Sequence, residues 1–223
     1  MTNYSAEYRN VFSTLGYELQ PVDGYSMSQV LDAEARLQLT IPLSLRDYYL
    51  IAGRESKFNQ VFNHLLAPDQ WSIDSDHLVF MEENQAVVLW GVPSSLTSKE
   101  DSPVFQGVNG KQVAWHVEHD SCSTFLKVMV HWHGTFGGAM SHPIVGYVDG
   151  DAIRKQLDRE WNFIGEVNQM RCYNRQGCAV CFLKWEDPIQ SKLGLSPWRV
   201  FAGANSESNL QMLQVSLKAQ WES

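Results

Sequence analysis

The sequence predicts an α+β fold in which N-terminal helices pack on an antiparallel or mixed β-meander, with a C-terminal α+β extension. Two observations predict this order: apolar residues recur at helical spacing early in the chain, and short β-favouring runs follow them. The 223 residues are 44% hydrophobic and 19% charged, which is typical of a globular protein. We predict a core domain over residues 1–142 and an extension over residues 143–223 that packs on it.

Four helices are predicted before the first strand. The apolar spacing of the first helix ends at Gly16, and a capping-box pattern at Ser26 begins the second. Pro42 opens the third helix at a position where its missing N–H costs least, and Gly53 ends it. The fourth helix is predicted over residues 58–66.

A meander of strands is predicted next. Two β-favouring runs flank the polar turn 82–85 and indicate a hairpin. The pair Asn109-Gly110 indicates a second hairpin, because both residues tolerate the positive φ of a tight turn. A helix capped by Asp120 or Ser121 then completes the core.

The extension is predicted to contain a strand, a helix, a hairpin and a last helix. The strand covers residues 143–148, and Leu157 lies on the apolar side of the helix that follows. The hairpin turns at residues 174–177, and Ser206 caps the last helix.

Charge argues against nucleic acid as the partner. The formal net charge is −8 and the pI about 5.3, so the chain repels phosphate unless it carries a concentrated basic patch. The cationic cluster at residues 154–159 is interrupted by Asp158. Acidic charge instead favours rapid capture of a basic partner.

The chain is predicted to be cytoplasmic and to bind no membrane. It begins Met1-Thr2-Asn3-Tyr4 and continues polar, without the basic and apolar regions of a signal peptide. No apolar stretch reaches the roughly 20 residues that a membrane span requires. In that compartment the four cysteines are expected to be reduced.

No pattern in the sequence predicts a catalytic, cofactor-binding or metal site. Cys178 and Cys181 form a single CxxC, whereas structural zinc usually takes two such pairs. There is no HExxH and no phosphate-binding glycine loop. A metal-dependent enzyme built around His116 and His119 stays open as the less favoured alternative.

The stretch from Leu31 to Gly91 resembles the SUKH superfamily, which includes Smi/Knr-type yeast regulators and many bacterial immunity proteins. Its first signature is a helix with an acidic residue, here 31–37, and then a Pro-led helix that ends in Tyr48-Tyr49 and is followed by Gly53. Its second is a strand, a Glu-Asn-Gln turn and a strand that ends Trp-Gly, here completed by Trp90-Gly91. Two departures are Gln38, where the family often has Gly, and the long extension.

The resemblance implies a non-enzymatic immunity protein that binds and occludes a cognate bacterial polymorphic toxin, such as a basic nuclease. It also implies that Glu83, Asn84, Gln85 and Trp90 line a partner-binding surface. The alternative that these residues only hold the fold stays open. So does an adaptor that binds housekeeping partners, and the oligomeric state is not predicted.

Overall fold

A computed structural model describes residues 2–185, 194 and 196–222. Over these residues the chain has seven α-helices and two six-stranded antiparallel sheets, which confirms the α+β class and the order of helices before the meander. The chain divides into two compact units, Met1–Asn10 with Glu18–Leu126 and Val11–Tyr17 with Lys127–Ser223. The predicted boundary at residue 142 separates a family core from an extension, and it stays a prediction.

Two of the four N-terminal helices begin near the predicted residues: Ser26 is the N-cap of the second, and Pro42 is the N-cap of the third instead of its first helical residue. The four helices are α1 (Tyr4–Thr14), α2 (Met27–Leu37), α3 (Leu43–Ala52) and α4 (Ser56–Asn59). The capping box of α2 is confirmed, because Ser26 Oγ accepts from Gln29 N at 3.3 Å and Gln29 Oε1 accepts from Ser26 N at 3.0 Å. These reciprocal bonds satisfy two backbone donors that a helix start leaves free.

The predicted fourth helix over residues 58–66 is wrong. Helix α4 ends at Asn59, and Asn63–Leu65 forms strand β1 instead. The Asn59 side chain is bonded in the core, since its Oδ1 accepts from Tyr48 Oη at 2.7 Å and its Nδ2 donates to the Ala52 carbonyl at 2.6 Å. Pairing of β1 with a strand far along the chain then overrides the local helical spacing.

The first sheet contains the predicted meander. Its remaining strands are β2 (Ser72–Asp74), β3 (His77–Glu83), β4 (Val88–Pro93), β5 (Val104–Val108) and β6 (Ala114–His119). Their order is β1-β3-β4-β5-β6, with β2 also paired to β3, and every pair is antiparallel. Both predicted hairpins are present, but their turns differ from the prediction. Glu82 and Glu83 belong to β3, and residues 109–113 connect β5 to β6 without a positive φ at Asn109 or Gly110.

One face of this sheet packs against helices. Helix α5 (Cys122–Gly134) places Phe125 edge-on against Phe80 at 6.0 Å between ring centroids. On α3, Tyr49 Oη donates to the Leu66 carbonyl at 2.7 Å and accepts from Trp71 Nε1 at 2.9 Å. We call this side the core face, and its fully buried aromatic rings each contribute on the order of 2 kcal/mol.

The connection between β4 and β5 is bound to two helix starts by a single carboxylate. Asp101 Oδ1 accepts from Ser44 Oγ at 2.8 Å and from Ser123 N at 2.9 Å. Its Oδ2 accepts from Ser121 Oγ at 2.7 Å and from Ser123 Oγ at 2.8 Å. Ser121 Oγ also accepts from Thr124 N at 3.1 Å, which confirms the predicted cap of α5.

The second unit carries the second sheet. Its elements are β7 (His142–Val148), α6 (Gly150–Glu160), β8 (Asn162–Val167), β9 (Met170–Arg175), β10 (Cys178–Lys184), β11 (Trp198–Ala204), α7 (Glu207–Ser216) and β12 (Ala219–Trp221). The strand order is β12-β7-β11-β10-β9-β8. Strand β7, helix α6, the β9–β10 hairpin and α7 were expected, and β8, β11 and β12 were not. Among the described residues, none of the helices has both the length and the apolarity to cross a membrane.

We expect Asp101→Asn to lower the free energy of unfolding by about 2–4 kcal/mol. Asparagine lacks the negative charge that stabilises both helix starts. Its NH₂ group would also face hydrogen-bond donors, so some of the four bonds that Asp101 accepts would be lost. Chemical denaturation measures the change. The control is Asp120→Asn at an exposed position, for which we expect a change within about 0.5 kcal/mol. Equal effects of the two variants would contradict this role of Asp101.

Candidate functional site

The β3–β4 turn presents the predicted residues Asn84 and Gln85 to solvent. Glu83 ends β3, and its Oε2 accepts from Gln85 N at 2.9 Å. The Glu83 carbonyl accepts from Ala86 N at 2.7 Å, and Ala86 takes a positive φ of 54°. Glu83 therefore shapes the turn, while Asn84 and Gln85 are exposed at its tip.

The neighbouring loop braces this turn from the side. Asn109 Nδ2 donates to the Ala86 carbonyl and Asn109 N donates to the Val87 carbonyl, both at 2.8 Å. Because side-chain and backbone bonds hold its base, the tip is a fixed platform whose two end residues are free to contact another molecule.

Trp90 lies apart from the turn, on the core face. Only 8% of its surface is exposed, and its ring is 6.2 Å from that of Phe125. Its indole N–H is buried without an acceptor at full hydrogen-bond geometry, although the nearby Glu118 carboxyl interacts with it. Burial raises the pKa of Glu118, and the Trp90 N–H partly opposes that rise. The structure thus brings Glu83, Asn84 and Gln85 together and leaves Trp90 in the core.

The helical signature residues hold the fold. Buried Glu34 accepts from Ile41 N at 2.7 Å and pairs with Arg46 at 2.6 Å, so it fixes the connection between α2 and α3. Gln38 follows α2 in the left-handed conformation, with φ 55°. Glycine adopts that conformation without strain, so Gln38 stands at a position that glycine would also suit.

The other face of the first sheet was not predicted as a site. Its register brings together two glycines on neighbouring strands, Gly91 on β4 and Gly107 on β5. The Trp115 ring lies across both, because a Cβ built on either glycine would meet it at 3.0–3.2 Å. His77 stacks on Trp115 at 4.5 Å between centroids and 16° between planes. Glycines inside strands often mark a place where another group approaches the backbone closely. Two such glycines, followed by a tryptophan on the next strand, could have indicated this aromatic surface from the sequence.

This second side, which we call the open face, is partly apolar and partly acidic. Phe105 is half-buried beside His77 at 5.0 Å, and Val117, opposite Phe105 on the edge strand β6, is 59% exposed. Asp74 pairs with His77 across β2 and β3, and Glu82 pairs with Leu89 across β3 and β4, which places both carboxylates on the open face.

The charge is divided unequally between the two units. Met1–Asn10 with Glu18–Leu126 contains 16 Asp and Glu against 7 Lys and Arg, a formal charge of −9. Val11–Tyr17 with Lys127–Ser223 contains 9 acidic against 10 basic residues, a formal charge of +1. The acidic character of the protein therefore belongs to the unit that carries the open face.

The histidines do not converge on a metal. Within the described part of the chain, no group of three or more His, Cys, Asp or Glu side chains could hold a metal ion. His119 Nδ1 accepts from Ser121 N at 2.9 Å, and His116 is exposed on β6. His131 lies 2.6 Å from the Lys127 carbonyl through Nδ1 and 3.0 Å from Asn174 Nδ2 through Nε2, and burial lowers its pKa to about 4.

The CxxC cysteines do not share a face of their strand. Cys178 packs in the core that α6 and α7 cover, whereas Cys181 meets Cys172 across β9 and β10, with their Sγ atoms 2.8 Å apart. All four cysteines are buried free thiols, and burial raises the pKa of Cys178 to about 11 and that of Cys181 well above its usual value. These thiols are core residues.

We expect the free energy of unfolding to fall by about 2 kcal/mol between pH 7.5 and pH 5 because of His131. Its pKa of about 4 in the folded protein lies below 6.5, so below pH 6.5 the unfolded chain takes up the proton first. The contribution is complete above pH 6.5 and is lost as the pH falls towards 4. In His131→Gln this part of the slope should vanish, and denaturation at both pH values tests it. A slope unchanged in the variant would contradict the assignment.

Comparison with known proteins finds no family model, no curated protein and no solved structure that matches this chain. The resemblance of residues 31–91 to the SUKH superfamily therefore stays a prediction. What the protein does has to follow from the geometry and charge of its own residues.

Proposed function

We propose that this protein is a non-enzymatic protein-binding module of SUKH type, an immunity protein that binds a cognate toxin and occludes its active site. The observation that carries the proposal is the unequal charge: one unit holds −9 and also carries an open sheet face and a braced turn. An acidic protein of this kind attracts basic proteins and repels nucleic acid. Nuclease toxins are basic where they bind phosphate.

The mechanism is steric exclusion aided by charge. Opposite potentials speed the encounter, and a contact area of about 800 Å² per partner is enough for a stable complex. Asn84 and Gln85 sit at the tip of the braced turn, where they can donate and accept hydrogen bonds without reorganising the backbone. The bound toxin then has no free path for its substrate.

The polar groups most like a catalytic cluster are occupied by the fold. Asp101 accepts four hydrogen bonds from serines at two helix starts. Buried His131 contacts a carbonyl and an amide, and its lowered pKa keeps it neutral. These arrangements favour binding over catalysis. We place the protein in the cytoplasm, where it meets its partner before substrate does.

Co-expression with the product of an immediately adjacent gene tests the function. We expect this protein to restore growth of cells that express that toxic product, and the purified pair to form a complex. The affinity should fall as NaCl rises from 50 to 500 mM, because salt screens the charge of the acidic unit. Failure to protect against the product of either adjacent gene would contradict the proposal.

The turn is tested by Asn84→Ala combined with Gln85→Ala. We expect the dissociation constant of that complex to rise about tenfold, since two fixed polar contacts at the interface are lost. Calorimetry measures it. Ser95→Ala combined with Ser98→Ala, at two exposed positions of the same unit, is the control and should leave the affinity unchanged. If both double variants raise the dissociation constant equally, the turn is not part of the interface.

A further inference from the structure

We propose that the open face of the first sheet is the docking surface, and that it takes an arginine-bearing surface of a basic protein. This inference rests on the proposed function and names the surface and chemistry through which it works. The observation behind it is a stacked Trp115–His77 pair on a sheet face that also carries two carboxylates, with Asp74 as the cross-strand neighbour of His77.

The register fixes the positions of these groups. One row across the sheet contains Glu82, Leu89, Gly107 and Trp115, as paired residues of β3, β4, β5 and β6. Trp115 reaches diagonally from this row across Gly91 to His77, whose partner on β2 is Asp74. Asp74 therefore neighbours the His77 end of the ring pair, whereas Glu82 lies on β3, three strands from Trp115 in the same row.

The two rings are held by packing more than by polar bonds. Trp115 Nε1 and His77 Nε2 are buried without a hydrogen-bond partner among the described residues. His77 Nδ1 contacts the Ser75 carbonyl at 2.8 Å and anchors that ring at one atom. Trp115 packs against the buried cluster of Val79, Leu89 and Val113, so packing holds the ring in place without a hydrogen bond.

Guanidinium is the group that matches an aromatic ring pair beside a carboxylate. It stacks on an aromatic face, and its fork of N–H donors pairs with a carboxylate in the same plane. The second unit shows this geometry within the chain, where the Arg171 guanidinium lies 4.6 Å from the Phe163 ring centroid and donates to Glu166 and Asp158. Among the described residues neither Asp74 nor Glu82 forms a salt bridge, although Asp74 accepts from Ser75 Oγ at 2.8 Å and the cross-strand neighbour of Glu82 on β1 is His64.

Charge decides between a foreign protein and a second copy. A copy that approached with its own open face would bring a second unit of charge −9 against the first. Like charges on facing surfaces oppose that dimer, whereas a basic protein gains from the same field. The exposed Val117 at the edge of the face supplies apolar area that becomes buried on docking.

The first experiment uses peptides as probes of the chemistry. Octa-arginine, octa-lysine and octa-glutamate are titrated into ¹⁵N-labelled protein, and the tryptophan indole resonances are followed. We expect octa-arginine to shift the Trp115 indole more than octa-lysine at equal saturation, and octa-glutamate to shift nothing. Asp74→Asn with Glu82→Gln should weaken octa-arginine binding about fivefold, through two lost ion pairs.

The matched control removes the same charge elsewhere in the unit. Asp32→Asn with Glu100→Gln changes two exposed carboxylates and should leave octa-arginine affinity within about twofold, since it alters only the long-range field. Equal weakening by both double variants, or equal indole shifts with octa-lysine and octa-arginine, would overturn the proposal. Either result would mean that the acidic unit binds cations without a specific face.

The second experiment uses the product of the adjacent gene. Val117→Arg places a cation on the face and should weaken that complex about thirtyfold, whereas Val22→Arg, at a 72% exposed position of the same unit, should leave it intact.

If both variants bind and protect normally, the docking face is wrong while the proposed function stands. If the peptides select the face but no adjacent product is neutralised, the proposed function fails while the arginine site stands. A dimer of the purified protein that Val117→Arg dissociates would assign the face to a second copy and overturn the inference.

Discussion

The structure of the acidic unit depends on where one carboxylate is placed. Asp101 sits in the connection between β4 and β5, and its four hydrogen bonds reach the starts of α3 and α5. Helix starts carry unsatisfied N–H groups and partial positive charge, so a carboxylate there satisfies both needs. Because α5 also carries Phe125 into the core, the same bonds fix the helix against the sheet whose connection they hold.

The two faces of the first sheet differ because side chains alternate along its strands. Alternation along β4 sends Trp90 into the core beside Phe125 and leaves Gly91 facing the other side. The missing side chain of Gly91 makes room for Trp115 and His77, which a Cβ would crowd. The Trp-Gly pair in the middle of β4 thus fills the core on one face and leaves room for an aromatic surface on the other.

Local signals in the sequence predicted the local features. The caps at Ser26, Ser121 and Ser206 were predictable because each is decided within four residues, and the turn after Glu83 was predictable from its polar tip. Strand β1 could not be predicted, because its pairing partner lies near residue 82 and its own spacing favours a helix. The open face was missed for the same reason: it exists only once register places Gly91, Gly107 and Trp115 side by side.

The net charge of −8 is the sum of −9 in one unit and +1 in the other, and this unequal division matters for recognition. The field of a −9 unit reaches roughly 8 Å into physiological salt, far enough to speed encounter but too diffuse to choose among basic proteins. Buried carboxylates add little to it, since Glu34 is already paired with Arg46. Choice requires short-range contacts of fixed geometry. We propose that the ring pair with Asp74 beside it provides them, because stacking and planar ion pairing are both lost when the incoming cation is misplaced.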